Sequence, residues 1–225
     1  MVAQTEQMLV EAWEKFCDYY DTKAPKYRRN WRPELNEKQA KESHWICWNE
    51  YDLTVHIGRF FYDILSKKKE EEFLNIEVHL EKNVNYTNFN GYEFNGELEG
   101  FINRLKQKGV IKKRGPKIDM IVACEDSNAS FLLCAEVKYF HYASKRYNKT
   151  PIQKINADIE KLKAIRDYKI AKRVVFMLFD DYYWYTDEKA ANAIQERLDE
   201  IRHEDGITVL FHTSEAKMCG FRPDC

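Results

Sequence analysis

The chain has 225 residues, 44% hydrophobic and 14% aromatic, with only 8 Gly and 5 Pro. Such a composition fits one folded globular domain and excludes a disordered or low-complexity chain. A formal net charge of -1, from 36 Lys and Arg against 37 Asp and Glu, excludes a uniformly cationic nucleic-acid coat and leaves room only for local basic patches.

The chain opens with Met8, Leu9, Ala12, Trp13, Phe16 and Tyr19 at helical spacing, which predicts an amphipathic helix over 5–20. Between Thr22 and Lys41, Tyr27 and Trp31 interleave with Lys26, Arg28, Arg29 and Arg32. Surfaces that bind single strands carry that mixture, and so do solvated linkers. Leu53, Ile57, Phe60, Phe61, Ile64 and Leu65 mark a second helix over 45–66, followed by a charged, solvated end at 67–72. Alternation of Ile76, Val78 and Leu80 with Glu77, His79 and Glu81 predicts a strand over 73–81 with one polar face. Residues 83–95 are expected to be loop, and a short helix over 96–108 should stop at Gly109. Two β-rich runs, 117–124 and 131–140, flank a turn-forming segment at 125–130 and should pair antiparallel. Pro151 then opens a helix with Ile152, Ile155, Ile159, Leu162 and Ile165 on its core face. An apolar run at 173–179, a helix over 187–202 and a strand over 207–212 complete an α-β-β-β-α-β-α-β order, hence an α/β fold.

The six cysteines, at 17, 47, 124, 134, 219 and 225, form no CxxC pair and lack zinc-finger histidine spacing. Residues 1–10 lack the apolar core of a signal peptide, and no apolar stretch approaches the ~20 residues of a membrane span. A cytoplasmic protein with reduced thiols and no membrane association is expected.

An acidic residue two before a lysine occurs five times, starting at Asp21, Glu136, Asp167, Asp187 and Glu215, so the pattern alone decides nothing. Glu136 stands apart because it lies in an apolar run, where burying a carboxylate and the ammonium of Lys138 is costly without a specific partner. Strand alternation puts Glu136 and Lys138 on one face. A tight turn centred between Ser127 and Asn128 pairs residues whose numbers sum to 255, which sets Asp119 opposite Glu136. Opposed side chains there have Cβ atoms roughly 4.5–5.5 Å apart, close enough for two carboxylates to share a divalent ion. Asp119, Glu136 and the carbonyl of Val137 make an oxygen-only ligand set, which favours Mg2+ or Mn2+ over zinc. With Lys138 beside them to orient water or stabilise negative charge, phosphodiester hydrolysis is the chemistry such a set suits. The plainer reading makes Asp119 and Lys138 a structural ion pair.

These residues resemble the PD-(D/E)XK, or restriction-endonuclease-like, nuclease superfamily. Its hallmark Asp behind a Pro reads here as Pro116-Lys117-Ile118-Asp119, and its Glu-x-Lys as Glu136-Val137-Lys138, with the Pro three residues ahead of the Asp instead of adjacent. The resemblance covers about 45–180. It implies a central mixed β-sheet flanked by helices in αβββαβ order, here with an extra N-terminal helix. The whole chain is then a single domain, 1–225, with the N-terminal helix and basic, aromatic loop in 1–44, the core in 45–180 and a C-terminal helix and strand in 181–225. The resemblance also implies an auxiliary helix glutamate, matched by Glu50 in Trp48-Asn49-Glu50-Tyr51-Asp52-Leu53, with Asp52 the alternative and a plain helix N-terminal residue the structural reading.

Basic residues flank the hairpin. Arg104, Lys106, Lys108, Lys112, Lys113, Arg114 and Lys117 precede it, and Lys145, Arg146 and Lys149 follow it. Together they would present a positive groove to a polyanion. Gln153, Lys154 and Asp158 on the following helix would either reach the phosphate and the surroundings of the metal or form a solvated face. The expectation is a Mg2+-dependent endonuclease acting on DNA, as a homodimer if it cuts both strands. The alternative is a non-catalytic nucleic-acid-binding or assembly module on the same fold.

Overall fold

A computed structural model of the chain describes residues 1–23, 47, 49–68, 75–83, 88–89, 92–93, 97–111, 116–124, 130–141 and 150–213. Its elements in chain order are α1 (Val2–Lys23), α2 (Glu50–Leu65), β1 (Ile76–Asn83), β2 (Asn88–Phe89), β3 (Tyr92–Glu93), α3 (Glu97–Gln107), β4 (Lys117–Cys124), β5 (Leu133–Phe140), α4 (Pro151–Asp167), β6 (Val174–Asp180), α5 (Tyr183–Thr186), α6 (Glu188–Glu200) with a π-turn over Ile201–Asp205, and β7 (Thr208–Thr213). The expected elements therefore form. The short β2–β3 pair lies inside what the sequence marked as loop. The basic and aromatic stretch around Tyr27 and Trp31, most of the charged run after α2, the segments holding Lys112, Lys113, Arg114, Lys145, Arg146 and Lys149, and the chain beyond Thr213 lie outside the described residues.

Five strands form one mixed sheet in the order β1-β4-β5-β6-β7. The first three are antiparallel. The pairs β5–β6 and β6–β7 are parallel, because each is joined through helices, the connection that parallel neighbours need. β5 and β6 are buried along their whole length and read as near-continuous apolar runs for that reason.

Each face of the sheet is covered by helices. On one face Phe101 and Leu105 of α3, Ile155, Ile159 and Leu162 of α4, and Ile194 and Leu198 of α6 pack on Ile121, Cys134, Phe176 and Leu178. On the other, Leu9, Trp13 and Phe16 of α1 and Leu53, Ile57 and Phe61 of α2 pack on Met120, Val122, Val137, Met177 and Phe179. The N-terminal helix is thus part of the core. It is also tied down at its ends, where Thr208 donates to Glu6 at 2.6 Å and Asp21 meets His212 at 3.0 Å.

Two glycines are used for what they lack. Gly109 closes α3 with φ +68, a left-handed stop as the sequence predicts. Gly100 faces the ring of Tyr168, where a Cβ would sit 2.6 Å from a ring carbon, so α3 and α4 approach closely only without a side chain there.

The edge strand β1 has a local guard. The hydroxyl of Tyr62 on α2 donates to the Val78 carbonyl at 3.1 Å and accepts from the Val78 N–H at 3.2 Å.

Cys17, Cys47, Cys124 and Cys134 are free and buried. Among the described residues no helix is long and apolar enough to cross a membrane.

Candidate functional site

The β4–β5 ladder pairs Met120 with Ala135, Ile121 with Cys134 and Val122 with Leu133. Each sum is 255, so the register that opposes Asp119 and Glu136 is the one the strands adopt. The ladder ends at Met120–Ala135, and Asp119 takes over beyond it: its Oδ2 accepts the Val137 N–H at 2.8 Å. On the other side of β4 the β1 register skips from Leu80–Met120 to Lys82–Ile118. The residue left between them, Glu81, has φ 58, a left-handed conformation that is strained for a residue other than glycine. The sheet is therefore distorted at the residue facing Asp119.

A cleft of about 530 Å³ opens here, lined by Glu50, Glu81, Asp119, Glu136 and Asp158 and by Lys117, Lys138, Lys154 and Lys161, with Asn49, Tyr51, Tyr139 and His141 completing it. The expected residues Asp119, Glu136, Lys138 and Glu50 converge in it, as does Lys117.

Glu50 reaches the cleft because of how α2 starts. Asn49 is the N-cap and accepts the Asp52 N–H at 3.0 Å, which makes Glu50 the first helical residue. Its Oε1 accepts a hydrogen bond from Lys138 Nζ at 3.0 Å, so between Glu50 and Asp52 the former is the helix carboxylate that meets the strand residues.

Two groups from α4 complete the cluster. Asp158, which the sequence leaves between a solvated face and a site role, is nearly buried, with Oδ2 2.8 Å from Lys138 Nζ. Lys161, which the sequence did not single out, pairs with Glu136 Oε2, donates to the Lys117 carbonyl at 2.8 Å and lies 3.9 Å from Asp158 Oδ1. The signal was present as spacing: Lys154, Asp158 and Lys161 form an i, i+4, i+7 row beside the apolar stripe Ile155, Ile159, Leu162. Gln153 is engaged elsewhere. Its side-chain carbonyl accepts the Thr150 N–H at 3.0 Å while Thr150 Oγ1 accepts the Gln153 N–H, a capping box that starts α4. Lys117 is paired with Glu81.

Electrostatics follow from burial. Burial raises the carboxyl groups of Asp119 and Glu136 above the usual range, Glu136 most, against the pull of Lys161. Glu50 is raised for the same reason, opposed by Lys138. For Lys138, burial disfavours the charge, but Asp158 and Glu50 outweigh it and hold the ammonium above its ordinary range. Lys161 behaves likewise, with Glu136 and Asp158 its main partners. Both lysines are held as cations, fixed hydrogen-bond donors rather than bases.

Of the four buried side-chain atoms without a hydrogen-bond partner among the described residues, two line the cleft, and of these Asp158 Oδ2 still has an ion pair with Lys138 whereas Glu136 Oε1 has none. Glu136 is 1% exposed and its Oε1 has no hydrogen-bond partner, a costly condition for a buried carboxylate oxygen. Asp119 has Oδ2 committed to Val137 and Oδ1 in no hydrogen bond among the described residues. Two hard oxygens from adjacent strands, in a cleft rich in carboxylates, have the donor chemistry of a Mg2+ or Mn2+ site. Among the described residues no set of three or more acidic, His or Cys side chains already encloses an ion position. Lys161 and Lys138 instead draw Glu136, Asp158 and Glu50 toward themselves.

No family model matches the chain, and no curated protein or solved structure matches it. The fold that the structure defines is an α/β domain with a five-stranded mixed sheet flanked by helices.

Proposed function

We propose that the protein is a metal-dependent nuclease of the restriction-endonuclease-like type that hydrolyses DNA phosphodiester bonds at the cleft over β4 and β5. The observation that carries this reading is the orphaned Oε1 of buried Glu136, set opposite Asp119 by the β4–β5 register in an open polar cleft. Asp21, paired with His212, also has a buried oxygen without a partner, so what singles out Glu136 is the polar cleft it lines together with Asp119.

In this reading Asp119 and Glu136, with the Val137 carbonyl, hold Mg2+ or Mn2+, and Glu50 belongs to the same acidic set through Lys138. The ion supplies Lewis-acid polarisation of the phosphate and stabilisation of developing charge. The protein's own groups do the rest. The Val137 N–H fixes the Asp119 carboxylate, and Glu50 and Asp158 aim the Lys138 ammonium. Because Lys138 stays protonated, it serves as an electrostatic donor to a phosphate oxygen. In the sequence the basic runs at 112–114 and 145–149 lie a few residues from Lys117 and His141 of the cleft lining, and their charge suits flanking phosphates. Cutting both strands of a duplex would require two copies of the chain.

The test is nicking of plasmid and linear DNA, with RNA alongside, by the purified protein in Mg2+ or Mn2+. Asp119→Asn, which keeps an acceptor for the Val137 N–H, should lower the rate about 10³-fold or more with DNA binding retained. Equal rates for Asp119→Asn and wild type would overturn the assignment.

A second reading has its own support. Lys138 is bonded to Glu50 and close to Asp158, and Lys161 is paired with Glu136, so the cluster is largely neutralised by its own ammonium groups. A non-catalytic nucleic-acid-binding or assembly module on this fold accounts for that arrangement. Binding of DNA with no cleavage on any substrate would favour it.

A further inference from the structure

Lys161 stands where a cation is needed. Its ammonium pairs with Oε2 of a carboxylate that is 1% exposed, takes the carbonyl of Lys117 at 2.8 Å, and approaches Asp158 Oδ1 at 3.9 Å. Two carboxylate oxygens and one backbone carbonyl around a positive centre form the sort of oxygen set that also suits a hard metal ion. The side chain of Lys161 is itself only 12% exposed, so this is a built position and not a surface contact. The carboxylate it neutralises is the one whose other oxygen is orphaned and which the register, continued one step past the last ladder pair, sets opposite Asp119.

We propose that Lys161 is a resident counter-ion of the strand carboxylates, a tethered ammonium that stabilises the metal-free fold and competes with a divalent cation for the Glu136 carboxylate. The proposal rests on the metal-site reading above and adds a residue that sets metal affinity. Without a cation, Asp119 and Glu136 would repel each other across the ladder. With Lys161 present the protein folds in the absence of metal, and an incoming ion has to work against a fixed positive charge a few ångströms away. Divalent occupancy would then be weak until the anionic substrate arrives to offset that charge. This makes Lys161 a positioning residue for Glu136 and a brake on metal binding.

The experiment measures Mn2+ binding by electron paramagnetic resonance, and melting temperature with and without Mn2+, in the full chain without nucleic acid. Four proteins are compared: wild type, Lys161→Gln, Lys161→Arg and the double variant Glu136→Gln with Lys161→Gln. Lys161→Gln should bind Mn2+ at least about tenfold more tightly than wild type, melt at a lower temperature without metal, and regain that loss with Mn2+. Lys161→Arg, which keeps the charge, should bind as wild type does. The double variant, with a neutral amide pair, should fold without metal and lose the Mn2+ response. Unchanged or weaker Mn2+ binding by Lys161→Gln overturns the proposal. So does a Lys161→Gln protein that fails to fold at any Mn2+ concentration while the double variant folds, because a metal then cannot take the ammonium's place. If wild type binds Mn2+ in a manner lost in Asp119→Asn but Lys161→Gln binds no tighter, the counter-ion role fails and the metal reading stands. If neither wild type nor Lys161→Gln binds Mn2+, both fail.

Discussion

Two carboxylates buried in neighbouring strands of this sheet, Glu136 in β5 and Asp180 in β6, have opposite arrangements. Asp180 is 0% exposed, and its two oxygens accept three backbone N–H groups, from Tyr182 and Tyr183 at Oδ1 (3.0 and 2.8 Å) and from Trp184 at Oδ2 (3.1 Å). It organises the turn into α5, and both its oxygens are occupied. Glu136 has one oxygen on Lys161 and one on nothing, beside a cleft. The same side-chain chemistry is spent on architecture in one case and left partly unspent in the other. A carboxylate satisfied by backbone is a structural part, whereas a buried one left short of a partner in the wall of a polar cleft is a candidate for a ligand.

Four changes probe that contrast, from the largest effect to the smallest. Glu136→Gln should reduce the proposed phosphodiester hydrolysis about 10³-fold, a barrier change of about 4 kcal/mol, and, because it leaves the Lys161 ammonium without its carboxylate, should also lower stability in urea by an amount that adding Lys161→Gln restores; cleavage left intact would reverse the comparison. Asp180→Ala should act on stability alone. It leaves three N–H groups without their acceptor and should cost about 3 kcal/mol by urea unfolding, with metal binding unchanged.

A third effect is a pH dependence. Burial raises the Asp180 carboxyl to about 7, against the lowering effect of its three backbone donors. The unfolded carboxyl loses its proton near pH 4, so between there and about pH 7 the folded chain holds the extra proton. Stability therefore falls as pH rises through that window and levels off above it. The Asp180 contribution should be a loss of about 2 kcal/mol from pH 5 to pH 7, and Asp180→Asn should flatten the stability curve by that amount. The smallest effect is at the start of α4, where Thr150→Ala removes half of the capping box and should cost about 1 kcal/mol of stability, with Lys161 held in place by the rest of the helix.

Much of this architecture was legible because local signals and packing agree. The alternation of β1, the apolar runs of β5 and β6, Pro151 at the start of α4 and Gly109 at the end of α3 each carry a physical cause that tertiary structure did not override. The opposition of Asp119 and Glu136 was legible because the two runs lie close together in the sequence, which leaves few registers open. Lys161 was not, since a lysine one turn from an acidic residue on a helix ordinarily lies in solvent, and only the placement of α4 over β5 buries it. Glu81 was hidden for a different reason. Its alternation marks an ordinary strand residue, and its left-handed backbone arises only where β1 and β4 meet around Asp119. The β2–β3 pair is two residues on each side, too short for periodicity to register.

The hydroxyl of Tyr62 has a consequence for the molecule's company. By occupying both backbone groups of Val78 on the outer side of β1, it denies a foreign strand the donor and acceptor it would need to zip onto the sheet at that point. A phenylalanine there would keep the ring and free the Val78 donor and acceptor for a foreign strand, so at that point a single oxygen atom closes the edge.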